Sequence, residues 1–161
     1  MKNMLINTLE FAQKKQSLQG EVLVKDLPRL QEMVSPACSD SKIHFALEGG
    51  RGVFGLPGMH LYIDATLQVL CQRCLTEMSL KLGLGFDYVV SKEPPAELDE
   101  LDEADWLEAV QDFDLVALIE DELLLALPIA PAHDFACAKQ AMQSGEKPNP
   151  FAVLKTLKSV K

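Results

Sequence analysis

The stretch MHLYIDATLQVLCQRCLTEMSLKLGLGFDYVVS, residues 59–91, decides the fold of this chain. Apolar side chains alternate with polar or small ones from 59 to 70, and again from 75 to 91. A period of two over such lengths predicts antiparallel strands with one buried face and one face in water. Only the segment from Cys71 to Cys74 separates the two runs, so they form a β-hairpin with both cysteines at its tip.

Shorter segments before and after the hairpin extend the predicted sheet. Residues 16–24 and 43–48 alternate in the same way, and residues 106–111 are compatible with a further short strand. The length of 161 residues suits one domain, and the hydrophobic share of 48% is enough for a real core. We therefore predict one α+β domain over residues 1–161, with a central antiparallel sheet and a long hairpin at about 59–91.

Two helical segments are expected to cover the apolar face of this sheet. The first runs from Leu27 to Val34, with Asp26 as its cap and a proline in its first turn. The second covers residues 115–127, and Asp114 is in position to cap it. Its apolar residues recur with the period of a helix, which leaves its acidic residues largely outward.

Those acidic residues, Glu120, Asp121 and Glu122, could suggest acid–base or magnesium chemistry. Consecutive helical positions are about 100° apart, so the three carboxylates do not converge on one point. We interpret them as an acidic surface that faces water or a partner. The sequence also has no nucleophile elbow, Walker loop, dinucleotide-binding glycine turn or HExxH pair, so we expect no enzymatic activity and no small-molecule substrate.

Charge is distributed unevenly along the chain, whose net charge is −9. Residues 1–92 carry 10 basic and 9 acidic side chains, whereas residues 93–138 carry 14 acidic and no basic ones. Residues 139–161 carry 5 lysines and 1 glutamate. This balance argues against general affinity for nucleic acid, which needs a basic surface. Residues 93–105 are acidic, contain two prolines and predict an exposed loop.

Any contact with RNA must therefore be local or pass through a protein partner. The candidates for contact with RNA phosphates or a partner are Arg51, Arg73, Lys81, Lys147, Lys155 and Lys158. The last three belong to a C-terminal amphipathic tail, residues 146–161. A short helix there would present Phe151, Leu154 and Leu157 on one side, either to dock on its own domain or to bind a partner.

The sequence gives no sign of a membrane or a secretory route. No window approaches the roughly 18 uncharged apolar residues of a membrane span, and the N-terminus does not read as a signal peptide. We therefore expect a cytoplasmic protein without a membrane partner. Thiols are normally reduced in the cytoplasm, so the four cysteines are metal ligands or core residues rather than disulfides.

The cysteines at the hairpin tip carry the sharpest chemical signal. Cys71 and Cys74 have the C-x-x-C spacing that supplies half of a tetrahedral zinc site. His133 and Cys137 follow a stretch that could fold back to the tip and complete the set. Two alternatives stay open, a pair of reduced metal-free thiols and a redox dithiol. The dithiol lacks the strand-to-helix junction that lowers the thiol pKa in thioredoxin-like motifs.

Four blocks in this order resemble the bacterial YceD family, the large ribosomal RNA subunit accumulation proteins. They are Cys71-Gln72-Arg73-Cys74-Leu75, the run from Asp114 to Pro128, Pro131-Ala132-His133-Asp134 with a following cysteine, and the run from Lys147 to Leu154. Together the blocks lie within residues 59–161. It is their order and spacing, rather than any single block, that makes the resemblance specific.

The resemblance implies a role in the synthesis, processing or stability of 23S rRNA, and no known catalytic activity. We expect the domain to bind an rRNA precursor or an early large-subunit ribosomal protein without chemistry. An alternative from another class is a protein–protein regulator that never contacts RNA. Zinc is the one cofactor that the sequence suggests.

Overall fold

The fold is that of a computed structural model, which describes residues 4–96 and 104–137. The predicted tail 146–161, with Lys147, Lys155 and Lys158, lies outside the described residues. So does most of the predicted acidic loop, of which residues 97–103 are not described. Within the described part, no helix is long and apolar enough to span a bilayer.

The secondary structure confirms an α+β chain. The strands are β1 (Leu5–Ile6), β2 (Ser17–Leu23), β3 (Lys42–Arg51), β4 (Pro57–Leu70), β5 (Glu77–Ser91), β6 (Asp105–Glu108) and β7 (Phe113–Asp114). The α-helices are α1 (Thr8–Gln13), α2 (Pro28–Met33) and α3 (Leu115–Ala126). Short 3₁₀ turns lie at Val24–Asp26, Pro36–Cys38 and Val53–Gly55.

Five strands form the main sheet, in the order β2-β3-β4-β5-β6. The first four pair antiparallel, and the β4–β5 hairpin runs from the pair Gly58–Val89 to the pair Leu70–Glu77. The predicted hairpin is thus confirmed. A two-stranded sheet of β1 and β7 lies apart from it.

The edge strand β6 differs from the expected all-antiparallel sheet, because it pairs parallel with β5. Strand β6 runs alongside β5 in the same direction, from the pair Tyr88–Asp105 to the pair Ser91–Glu108. The indole N–H of Trp106 donates to the Ser91 hydroxyl at 3.0 Å, which ties the two strands together. Because β6 begins at Asp105, the predicted acidic loop ends one residue earlier than expected.

The core lies between the apolar face of the main sheet and the helices. Side chains of β4 such as Leu61 and Leu67 are fully buried, as are Leu30 of α2 and Ile119 of α3. The prediction that helices cover one face of the sheet is confirmed. Helix α1 adds to this layer, since its Phe11 is also buried in the same cluster.

Helix α2 obtains its cap from helix α3, and this corrects two predictions. No side chain of its own caps α2, so the prediction of Asp26 as cap is wrong. Instead the backbone N–H groups of Arg29 and Leu30 donate to one carboxylate oxygen of Glu120, at 2.8 and 3.2 Å. Glu120 is only 5% exposed, so its predicted outward orientation is also wrong.

The guanidinium of Arg29 completes this contact from the solvent side. It lies 2.9 Å from the second oxygen of Glu120 and 2.6 Å from a carboxylate oxygen of the half-exposed Asp121. A buried carboxylate thus has a cation and two amide donors, which is how proteins compensate the burial of charge. The predicted cap of α3 is confirmed, because Asp114 accepts from the N–H groups of Val116 and Ala117 at 3.0 and 3.4 Å.

We expect Glu120→Ala to lower the free energy of unfolding by about 3 kcal/mol, because it leaves two helix N–H groups and Arg29 without their buried acceptor. Urea denaturation followed by circular dichroism measures this. The matched control is Asp121→Ala, which removes an exposed ion pair on the same helix and should cost less than about 1 kcal/mol. Equal losses in both variants would contradict the capping role.

Candidate metal centre at the hairpin tip

The turn between β4 and β5 closes with its own backbone hydrogen bonds. The N–H of Cys71 donates to the carbonyl of Thr76, and the N–H of Leu75 donates to the carbonyl of Cys71, both at 2.9 Å. Leu75 has φ of 58°, a left-handed conformation that reverses the chain directly after Cys74. This tight turn points both thiols to one side of the tip.

The segment after α3 folds back to the tip, as the sequence analysis expected. The carbonyl of Pro131 accepts from the N–H of Gln72 at 2.7 Å. The guanidinium of Arg73 donates to the carbonyl of His133 at 2.7 Å and to that of Phe135. Arg73 therefore fastens the returning segment to the turn.

This return brings the four predicted ligands together. The side-chain donor atoms of Cys71, Cys74, His133 and Cys137 all lie within 4.8 Å of one another. The sulfurs of Cys71 and Cys137 are 3.6 Å apart, and Nδ1 of His133 lies 3.5 Å from the sulfur of Cys74. Cys71 is buried and the other three are partly buried. The separation of the Cys71 and Cys137 sulfurs exceeds the S–S bond length of about 2.05 Å, so no disulfide joins them. The three cysteines are free thiols beside an imidazole.

Two of the six separations between these donor atoms fit a tetrahedral ion. Zinc bonds of about 2.3 Å to sulfur and about 2.0 Å to nitrogen place two sulfurs about 3.8 Å apart, and a sulfur and a nitrogen about 3.5 Å apart. The two measured separations lie within a few tenths of an ångström of these values. Three cysteines and one histidine are also a donor set that structural zinc sites use. The cluster could therefore hold a metal ion.

Hydrogen bonds to the thiols prepare them for the ionised form that a metal requires. Burial alone would raise the pKa of Cys71, but backbone N–H groups of Cys74, His133 and Arg73 outweigh it and lower that pKa to about 5. The hydroxyl of Thr76, 3.1 Å from the sulfur of Cys74, lowers the pKa of Cys74.

The other two members of the cluster shift in the opposite direction. Contact with the sulfur of Cys71 raises the pKa of His133. Burial raises the pKa of Cys137, although Arg73 Nε donates to its sulfur at 3.1 Å and acts against this shift. One thiolate is therefore ready at neutral pH, whereas the Cys137 thiol must lose a proton when a metal binds.

The predicted basic contacts do not gather in one place within the described residues. Arg73 was expected to touch RNA phosphates, but three of its contacts go to residues 133–137. Arg51 pairs in register with Pro57, and Lys81 pairs with Thr66, nine residues further along β4. At about 3.3 Å per residue, that is about 30 Å along the strand. Both side chains are exposed, but they do not form one phosphate footprint.

Sequence reasoning missed two contributors to the tip. Thr76 was not singled out, although it lies two residues after Cys74, where a hydroxyl can reach a thiolate. Arg73 was considered only as a contact for RNA or a partner, and its position between the two cysteines was the signal that could have placed it in the centre. Of the acidic residues on α3, Glu122 accepts from the buried hydroxyl of Tyr88 at 2.7 Å, so it too has an internal partner.

Residues 59–158 match the model of a family described as large ribosomal RNA subunit accumulation protein YceD. A protein of that name from Haemophilus influenzae is 29% identical to this chain over an alignment of 165 positions, which covers 95% of this chain and 94% of the relative. No solved structure matches the chain. The matched region includes the hairpin, its tip and the returning segment.

We expect the metal-free protein to form one thiolate with a midpoint near pH 5, because the pKa of Cys71 is lowered to about 5. The ultraviolet absorbance of thiolates, followed against pH, measures this, and Cys71→Ser should remove the step. An unfolded thiol ionises near pH 8.5. The thiolate therefore adds stability above that pH, and this contribution is lost as the pH falls through 5. A midpoint above pH 8 would contradict the hydrogen-bonded thiolate.

Proposed function

We propose that this chain, which belongs to the YceD family of large ribosomal RNA subunit accumulation proteins, supports the accumulation of 23S rRNA as a cytoplasmic factor without enzymatic activity. It would act by binding an early large-subunit ribosomal protein or an rRNA precursor during assembly. The observation that carries this proposal is the uncovered, acidic face of the main sheet. Three lines of support follow, from charge, from shape and from the metal centre.

The open sheet face is the side of β2 to β5 that none of the helices in residues 4–96 and 104–137 covers. Its charged side chains are Glu21, Lys42, His44, Glu48, His60, Asp64, Glu77, Lys81 and Asp87. Five of these are carboxylates and two are lysines, so the face is acidic even with its histidines neutral. Lys42 is already paired with Glu21 at 2.7 Å. A surface of this charge attracts a basic protein and repels phosphates.

The shape of this face also suits a macromolecular partner. Tyr62 is half exposed at its centre, and the residues opposite and diagonal to it on β5 are Gly85 and Gly83. A Cβ atom at Gly83 would meet nothing within 4 Å, whereas one at Gly85 would meet the Tyr62 ring at 3.7 Å, so the ring lies over Gly85 with open space beside it at Gly83. A large amphipathic ring beside open space is typical of the residues that anchor protein interfaces.

This charge pattern favours a basic protein over RNA as the direct partner of the open sheet face. Ribosomal RNA would have to approach five carboxylates, and the described basic residues Arg51 and Lys81 lie too far apart to compensate them together. The alternative function, a regulator that never contacts RNA, is supported by the same acidic charge. The two functions differ in whether the protein partner belongs to the assembling large subunit.

The metal centre would serve this function as a structural joint. We propose that Cys71, Cys74, His133 and Cys137 hold a zinc ion. Four protein ligands leave no coordination position for a substrate, so the ion would supply cross-linking rather than catalysis. These residues would join the hairpin tip to the segment after α3. Both belong to the region that matches the family.

Protein purified without chelator should contain about one zinc ion per chain, measured by elemental analysis, because three thiols and an imidazole favour zinc. Cys74→Ser should lose most of it, and chelation should lower the thermal midpoint by about 5 °C or more. Cys38→Ala is the matched control, since Cys38 is a buried cysteine outside the cluster and bonds the hydroxyl of Ser41. Metal-free protein that also fails to take up added zinc would favour the alternative of reduced, metal-free thiols.

Reversal of charge on the open sheet face should weaken binding to basic large-subunit proteins. We expect Glu48→Lys together with Asp64→Lys to lower the affinity for such a partner by about tenfold at low salt, with a smaller effect at high salt. Isothermal titration with purified early large-subunit proteins measures this. Asp40→Lys and Glu10→Lys together are the control, because both carboxylates are exposed and lie outside this face.

Two outcomes would count against a basic large-subunit protein as the partner of the open sheet face. Salt-sensitive binding to 23S precursor fragments that the reversals do not strengthen would assign the contact to RNA and to another surface. Binding to no ribosomal component, with an unchanged ratio of 23S to 16S rRNA in cells that carry the reversals, would favour the regulator. A fall in that ratio with intact folding supports the proposal.

A further inference from the structure

An apolar groove lies beside the metal centre, at the hairpin-tip end of the main sheet, and its lining includes Glu77 from the end of the open sheet face. It runs between the end of α2, the end of β4 and the proline-rich segment after α3. Its lining includes Met33, Leu70 and Ile129, whose side chains are 64%, 50% and 104% exposed. Three large apolar side chains exposed around one groove are unusual for a surface that faces water alone.

We propose that the chain's own C-terminal tail, residues 146–161, occupies this groove. The sequence of the tail fits such a site, because Phe151, Leu154 and Leu157 recur at every third position and would share one side of a helix. Asn149 and Pro150 supply a cap and a first helical residue directly before this stripe. The inference is independent of the partner and the metal proposed above.

The point at which the described chain ends supports this occupant. Cys137 belongs to the cluster at the hairpin tip, and Gln72 of the same tip lines the groove. Pro131, which also lines it, accepts a hydrogen bond from the N–H of Gln72. The twelve residues 138–149 can extend about 40 Å, far more than this neighbouring site requires. A tether of that length gives the tail a high effective concentration at the groove.

The charges of the two surfaces are complementary. Glu32 and Glu77 lie on the lining of the groove, and both residues are exposed. On a helix, Lys155 and Lys158 would lie next to the apolar stripe formed by Leu154 and its neighbours. An apolar stripe with flanking lysines therefore meets an apolar groove with carboxylates among its lining residues. A basic tail held there would also shield part of the acidic domain.

A photo-cross-link from the tail tests this in the full chain. A benzophenone amino acid is placed at Phe151, the protein is illuminated, and cross-linked peptides are identified by mass spectrometry. We expect cross-links within one chain to the peptides that contain Met33, Leu70 or Ile129. Ile129→Asp should lower their yield by about tenfold, because it places a charge in the apolar contact. Ile129 is fully exposed, so this variant should fold, which its thermal midpoint verifies.

Phe54→Asp is the matched control, since it replaces another exposed apolar residue by aspartate far from the groove and should leave the yield within about twofold. Cross-links that join two chains and grow with protein concentration would overturn intramolecular docking in favour of a second copy. Cross-links to the part of the open sheet face outside the groove lining, such as the peptide around Tyr62, or a yield that Ile129→Asp leaves unchanged, would overturn the groove as the site. None of these readouts depends on rRNA, so this inference and the proposed function can fail separately.

Discussion

The uninterrupted pairing of β4 with β5 is the constraint on which the rest of the structure depends. The inner face of β4 supplies Leu61, Ile63 and Leu67 to the core, and these side chains are almost fully buried. A slip of one residue would turn all three into water, so the core fixes the register. The same register fixes where the hairpin ends, and therefore where Cys71 and Cys74 lie. Folding of the core and placement of the thiols are thus a single event.

Much of this fold was predictable because its signals are local. Alternation of side chains identified the hairpin, and Asp114 was recognised as a cap because it bonds N–H groups only two and three residues away. The cap of α2 was not predictable in this way, since Glu120 lies about ninety residues further along the chain. Its burial depends on how two helices pack, which helical periodicity does not report. The parallel direction of β6 likewise depends on the path of a crossover rather than on its own sequence.

The candidate metal centre was likewise only partly predictable from local sequence signals. The C-x-x-C pair could be read from spacing alone, because a hairpin turn brings its own residues together. His133 and Cys137 were selected by their chemistry, and the fold places them there because Arg73 and Gln72 bind backbone carbonyls of the returning segment. Arg73 was considered only as a contact for RNA or a partner. Its position between the two cysteines was a local signal, but the carbonyls that its guanidinium binds lie about sixty residues away.

The proposed docking role would depend on charge and metal coordination together. A metal centre with four protein ligands would be closed to substrate, and the carboxylates of the open sheet face lie spread along its strands. An acidic face that repels phosphate can still serve rRNA if its partner is a basic protein that must be kept from premature contact with RNA. In that arrangement the carboxylates bind the basic surface with which the partner later binds RNA phosphates. Its release would then be driven by rRNA itself, which competes for the same basic surface with a higher charge density.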